Sequence, residues 1–159
     1  MRNAVGYSLA TIILIHSITI VPAAAQQSPF SGLAGTWSGS GTISLSDGSK
    51  ERLRCKATYR TSSRLSLQQS LRCASASYRF ELVGNAEAEG GRVTGSWSET
   101  SRGVAGTLQG RVADGRITVA VDAPGFSANL SMNTTLNRQT IAIVSQGDIR
   151  NVTVSLTKN

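Results

Sequence analysis

Histidine is the side chain most often recruited as a general base, a metal ligand or an axial haem ligand. This chain of 159 residues has one, His16. His16 lies in a segment with the makeup of an export signal. Arg2 gives a positive start, Leu9 to Val21 is mostly apolar, and Ala23-Ala24-Ala25 offers the small-x-small pattern that a signal peptidase reads. Cleavage before Gln26 is the expectation. An uncleaved anchor is the alternative, against which stand the short apolar run and Pro22. No cysteine near the cleavage point offers a lipid attachment site. Removing residues 1–25 leaves 134 residues, a net charge of +6 in place of +7, and no histidine.

The other candidates for chemistry are weak. Glu87 and Glu89 are spaced i, i+2, so on a strand both face solvent beside a turn instead of flanking a substrate. Glu99 continues the phase of Val93, Gly95 and Trp97, which would bring it to the mouth of a barrel. A place in the loop 98–103 beside Arg102 is the preferred reading. No Gly-x-Ser-x-Gly elbow occurs, and no histidine could activate its serine. Lys50, Lys56 and Lys158 are expected to be exposed, and the acidic residues are too scattered for a calcium loop. The expectation is a protein that is not an enzyme and has no cofactor, metal site or catalytic residue.

Cys55 and Cys73 are the only cysteines. In an exported chain an even count reads as a disulfide, with two buried free thiols as the alternative. The length suits one domain, and 40% hydrophobic residues suffice for one core. Only 16% of residues are charged, and Ser, Thr and Gly fill the gap, a balance that suits a β-rich secreted protein.

The elements that must position these residues are strands. Short alternating runs broken by Gly, Asp and Ser recur about every ten residues, which signals a sandwich or barrel. Facing residues of an antiparallel hairpin have a constant sum of residue numbers and share a face. Around Asp114-Gly115, Val112, Gly110 and Leu108 face Ile117, Val119 and Val121; around Gly90-Gly91, Ala88, Ala86 and Gly84 face Val93, Gly95 and Trp97. The hairpin centred on Arg64 sets Cys55 opposite Cys73, Ala57 opposite Leu71 and Tyr59 opposite Gln69, which favours the disulfide.

Longer loops extend the rule. Cys73, Leu71 and Gln69 are set against Tyr78, Phe80 and Leu82, and Trp97, Gly95 and Val93 against Val104, Gly106 and Leu108. Val121, Val119 and Ile117 are set against Phe126, Ala128 and Leu130. Met132 and Leu130 meet Ile141 and Ile143, which in turn meet Leu156 and Val154. Near Asp47-Gly48 a three-residue loop with a bulge is preferred, with Leu45 facing Leu53 and Ile43 facing Cys55.

The expected strands are 35–45, 51–60, 65–73, 78–89, 92–98, 104–113, 116–122, 126–132, 140–145 and 152–158. An all-β, antiparallel up-and-down barrel of about ten strands leaves no edges and is the predicted fold. The expected organisation is a signal peptide at 1–25, an N-terminal arm closing the barrel at 26–34, and the barrel at 35–159. Periodicity does not say which face is inside. An outer-membrane barrel is the alternative, opposed by short strands, no aromatic girdle and a final Asn159.

Phe30-Ser31-Gly32-Leu33 followed by Gly35-Thr36-Trp37 resembles the start of a calycin, the superfamily of lipocalins and fatty-acid-binding proteins. The resemblance implies a short turn closing one barrel end and a Gly-x-Trp first strand whose Trp packs in the base. In lipocalins a basic side chain near the last strand covers that Trp; here Lys158 would stand where the family usually has arginine. The lipocalin helix before the last strand is not visible. Gly35 to Gly41 also resembles the opening of nitrobindin-type haem barrels, but these need a late histidine, so haem is not expected. Streptavidin-like barrels share Gly-Thr-Trp but cage biotin with several further tryptophans; only Trp97 remains here. The whole chain most resembles small exported bacterial barrels of unassigned activity.

Hairpin topology gathers loops 46–50, 74–77, 98–103, 122–125 and 146–151 at one end and 61–64, 90–91, 114–115 and 133–139 at the other. Arg60, Arg64, Arg92, Arg116 and Arg138 collect at the second end, and Arg52, Arg54, Lys56 and Arg72 on the outer face of the second and third strands. They form a candidate footprint for lipopolysaccharide, anionic lipid or an acidic partner, or else an ordinary solvated surface. Nucleic acid is not expected, because the chain is exported and this face lacks stacking aromatics. The inward list is lean, with Gly84, Ala86, Gly95, Gly106 and Gly110 among larger residues, and either leaves a cavity or lets the barrel close tightly. Trp37, Tyr59, Phe80, Trp97 and Phe126 are the candidate ligand-lining residues. The expected function is non-catalytic binding, in the periplasm or outside the cell, of a small apolar ligand or an anionic envelope partner. The rival is inhibition of a secreted enzyme, because exported bacterial protease inhibitors share the Gly-x-Trp start and one disulfide. The arm Gln26–Phe30 would then plug the target's cleft.

Overall fold

The computed structural model describes residues 27–159. The expected signal peptide at 1–25 and its cleavage point lie outside the described residues. Ten antiparallel strands follow one another: β1 (Gly35–Leu45), β2 (Lys50–Arg60), β3 (Ser66–Ala74), β4 (Arg79–Glu89), β5 (Arg92–Glu99), β6 (Val104–Ala113), β7 (Arg116–Ala123), β8 (Phe126–Thr135), β9 (Arg138–Ser145) and β10 (Ile149–Lys158). Each pairs with its sequence neighbours and β10 closes on β1, so the sheet is a closed barrel.

The apolar face of every strand is turned inward. Ile43, Leu53, Leu71, Val93 and Val154 are fully buried, and few large apolar side chains of the described residues stay outside (Leu65, Leu136 and Val144). The outer wall therefore has no apolar band of the kind a lipid-facing barrel needs. Inward burial removes apolar surface from water along the whole ladder, which is the main favourable term in holding the barrel together.

The two barrel ends differ in how closely the chain pattern specifies them. At one end the hairpins β2–β3, β4–β5, β6–β7 and β8–β9 have the expected pairings: Cys55 faces Cys73, Gly84 faces Trp97, Val112 faces Ile117 and Met132 faces Ile141. Asp114 adopts φ 49° and Gly115 φ 75°, a two-residue turn with both residues left-handed. The expected loop 133–139 shortens to a turn at Leu136-Asn137, where Leu136 takes φ 54°.

At the other end every register departs from expectation by an even number of residues. Cys73 faces Phe80, Trp97 faces Gly106, Val121 faces Ala128 and Ile141 faces Val154, each two residues from the expected partner. In the β1–β2 hairpin Ile43 faces Glu51 and Gly41 faces Leu53, a slip of four. A shift of two returns every side chain to the same face, so burial patterning cannot tell the registers apart; the loops decide.

The first of these ends is covered by residues 27–34. Phe30 and Leu33 are buried there, and the Trp37 indole Nε1 donates to the Leu33 carbonyl at 2.8 Å. Lys158 pairs with Trp37 across β1 and β10. Its ammonium sits 5.6 Å from the indole centroid and donates to the Gly32 carbonyl at 3.0 Å.

Candidate functional site

Between the covered end and the open end lies a chamber of about 110 Å³. Phe30 forms part of its lining, with Leu67, Val93, Leu108, Val119 and Met132 among the wall residues. Gln69 is the one residue with a polar side chain in that lining. A second space of about 330 Å³ opens among the loops of the other end, bordered by Arg102, Val104, Pro124, Gly125, Gly147 and Asp148. The two spaces share Leu82, Trp97, Phe126 and Ile143, which form the neck between vestibule and chamber. The Trp97 and Phe126 rings stand 5.6 Å apart, tilted by 59°. The Trp97 indole Nε1 donates to the Thr107 carbonyl at 3.1 Å, which ties the ring to β6.

The strand pattern explains the neck. Trp97 faces Gly84 on one side and Gly106 on the other, so its neighbours in the row carry no side chain and leave the inner wall to the indole. Gly106 is also required by the backbone, since a Cβ there would lie 1.8 Å from the Asp122 carbonyl oxygen.

The candidate aromatic residues separate into two groups. Phe80, Trp97 and Phe126 border the vestibule, and the last two also border the chamber. Trp37 and Tyr59 are packed edge to face at 6.3 Å in the covered end and belong to the lining of neither space. Tyr59 donates its hydroxyl to Gln139 Oε1 at 2.6 Å, and Gln139 Nε2 donates to Thr134 Oγ1 at 3.1 Å and to Met132 Sδ at 3.3 Å. Burial pushes the Tyr59 phenol far above its ordinary value, with the bond to Gln139 acting against it. This is a satisfied polar cluster inside the core. The sequence held a signal for it in Gln139, a polar residue in the inward phase of Ile141 and Ile143.

Glu99 is not in a loop: it ends β5, faces Val104 and borders the vestibule. It is 7% exposed, and its carboxylate accepts backbone N–H groups from Glu81 at 2.9 Å, Ser101 at 3.2 Å and Arg102 at 2.7 Å. Burial disfavours its charged form, but these hydrogen bonds outweigh burial and hold the carboxyl below its ordinary range. The side chain is used to anchor the β5–β6 loop. Glu51 does the same for the β3–β4 loop, accepting the Ser75 hydroxyl at 2.5 Å and the Ser77 N–H at 3.3 Å.

Cys55 and Cys73 form a disulfide across β2 and β3, with Cα atoms 4.2 Å apart. On the outer wall beside it, Arg54, Lys56, Arg72 and Arg79 border a cleft of about 360 Å³ with Glu81. Glu81 pairs with Arg72 at 2.7 Å. Arg52 is exposed further along β2, while Arg60, Arg64, Arg92, Arg116 and Arg138 are exposed around the covered end. The arginine ring is therefore at the opposite end from the vestibule.

No protein-family model matches the chain. No curated protein matches it in sequence. The fold is similar to that of Rv2717c from M. tuberculosis, with a TM-score of 0.67 and 12% identity over 82% of this chain and 94% of that one. It is also similar to the S-type phycobiliprotein lyase CPES from Guillardia theta, with a TM-score of 0.57 and 12% identity over 82% of this chain and 90% of the other. At that identity the likeness is one of fold: the chain is a calycin-like closed barrel.

Proposed function

We propose that this protein is an exported, non-catalytic binding barrel that holds a small apolar ligand beneath Trp97 and Phe126. The observation that carries this reading is the apolar chamber with an apolar neck leading to a loop-rimmed vestibule. A packed core leaves few voids larger than a water molecule. A void of this size with an apolar lining is poor for water and well suited to an apolar guest. Residues 26–34 act in this reading as the plug of the barrel 35–159, with Phe30 as the chamber floor. The disulfide supports export, since such bonds persist in oxidising compartments. Absence of a histidine from residues 26–159 supports a non-catalytic role.

Native mass spectrometry of protein purified from its own cell envelope tests the reading. A co-purifying small apolar mass is expected. A clean apo mass, together with no change of Trp97 fluorescence in a Trp37→Phe background on titration with apolar compounds, overturns it.

A second reading is favoured by the cleft at Arg54, Lys56, Arg72 and Arg79, where one carboxylate, Glu81, faces four cations. It is a docking point for an anionic envelope component. For the enzyme-inhibitor alternative, the tip of the proposed plug, Phe30, is 1% exposed and packed into its own barrel.

A further inference from the structure

Most strand glycines of this barrel are explained by the backbone. At Gly39, Gly41, Gly95, Gly106 and Gly110 an added Cβ would lie 1.8–2.3 Å from a carbonyl oxygen of the adjacent strand, and Gly35 has φ +126°. Gly84 is different. Its φ is ordinary, and an added Cβ would meet nothing nearer than the Ser96 carbonyl oxygen at 3.8 Å. A glycine inside a strand loses more conformational freedom on folding than any other residue and contributes no packing. At Gly84 no close backbone contact accounts for it. What it leaves is space, because Gly84 lines the chamber.

The neighbours of that space are chemically distinct. Across β3, β4 and β5 the row reads Gln69, Gly84, Trp97. The gap over Gly84 thus has a carboxamide on one side and an indole on the other. All three residues line the chamber. Among the described residues the Gln69 carboxamide makes no hydrogen bond, whereas the deeper Gln139 has all its bonds made within the core. A half-buried amide without a protein partner in an otherwise apolar chamber is a handle for one polar group of a guest. An indole beside a gap that lacks a side chain favours a flat guest over a branched one.

We infer that the guest is a flat, mostly apolar molecule with one hydrogen-bonding group, seated over Gly84 with that group on the Gln69 carboxamide. This inference rests on the apolar-ligand reading above and adds the class of ligand and the residues that select it. Gly84 supplies the slot, Trp97 the flat wall and Gln69 the polar contact.

Naphthalene, 2-naphthol and dodecanol are the probes, titrated by Trp97 fluorescence in the Trp37→Phe background and by calorimetry. The expected result is binding of 2-naphthol about tenfold tighter than naphthalene. Gln69→Leu should erase that preference while retaining naphthalene. Gly84→Val should weaken both aromatic probes about tenfold or more without lowering Tm, since the added methyl groups fill the slot and suit a strand. If Gly84→Val fails to fold, Gly84→Ala and the hydroxyl preference in Gln69→Leu still decide the matter. Binding of dodecanol with no response to either naphthalene compound overturns the flat-guest inference and leaves the apolar-ligand reading standing. So does aromatic binding that is unchanged by Gly84→Val and Gln69→Leu. No binding of any probe, with a clean apo mass from the envelope, overturns both.

Discussion

Among single residues, the carboxylates at the open end show how charge is used. Asp47, Glu51 and Glu99 are all held below their ordinary values: Asp47 by the Ser49 hydroxyl and N–H, Glu51 by Ser75 and Ser77, and Glu99 by three backbone N–H groups that outweigh its burial. A carboxyl whose folded pKa is depressed contributes stability that is complete above its unfolded value and lost as pH falls through the folded one. The ordinary glutamate value is 4.5, so acidification below that pH, through the depressed folded values of Glu51 and Glu99, should loosen the β3–β4 and β5–β6 loops they hold. Hydrogen exchange at pH 7 and pH 3.5 checks this; equal protection of those loops at both pH values would refute it. Glu99→Gln should cost about 1–3 kcal/mol at pH 7, since an amide NH₂ then faces backbone donors, and should flatten part of the acid limb of a denaturation curve. The β5 phase of Glu99 shows in the sequence, but the sequence favours the loop 98–103 for it, and the strand carries it instead. Its use as a loop anchor was not legible, because its partners come from the β5–β6 loop and from Glu81 on a neighbouring strand.

Among elements, the hairpins divide by turn chemistry. Asp114-Gly115 and Gly90-Gly91 impose their own registers because left-handed φ at both central residues leaves one way to join two twisted strands. The loops of the open end lack such a pair. Alternation then specifies register only to within two residues, and Phe80 moves from Leu71 to Cys73, while Gly106 moves from Gly95 to Trp97. The neck is built by that second shift. Two further elements yield predictions of stability. Breaking the Cys55–Cys73 link, which spans 18 residues, should cost about 3 kcal/mol, read as a lowered denaturant midpoint of Cys55→Ala/Cys73→Ala. An unchanged midpoint would mean that the ten-strand closure alone sets stability. Phe30→Ala should cost about 3–5 kcal/mol and enlarge the chamber floor, so longer apolar probes should gain affinity relative to shorter ones. A stability loss with no change in chain-length preference would show that Phe30 packs the base without bounding the ligand.

Across the whole molecule, charge and cavity are arranged apart. The vestibule opens among loops at one end, the arginines of the turns ring the other, and a further basic cleft runs along the outer wall of β2–β4. If the basic wall docks on anionic surfaces, binding to vesicles containing phosphatidylglycerol should fall steeply between low and physiological salt. Arg54→Ser/Arg79→Ser should weaken it without altering ligand uptake; salt-independent binding would contradict an electrostatic footprint. The sequence by itself determined the strand number, the all-β class, the facing of Cys55 and Cys73 across two strands, the registers of the covered-end hairpins and the set of residues sharing one face. These are local matters of period-two alternation, turn residues and count. Only the tertiary structure decided that the shared face is the inside, because alternation is symmetric between the two faces of a sheet. Tertiary closure also decided the open-end registers, which of the inward aromatics are core and which border a space, and that a chamber exists at all. Such a void is the volume left after ten strands have closed, and it depends on side chains from distant strands that no local pattern relates.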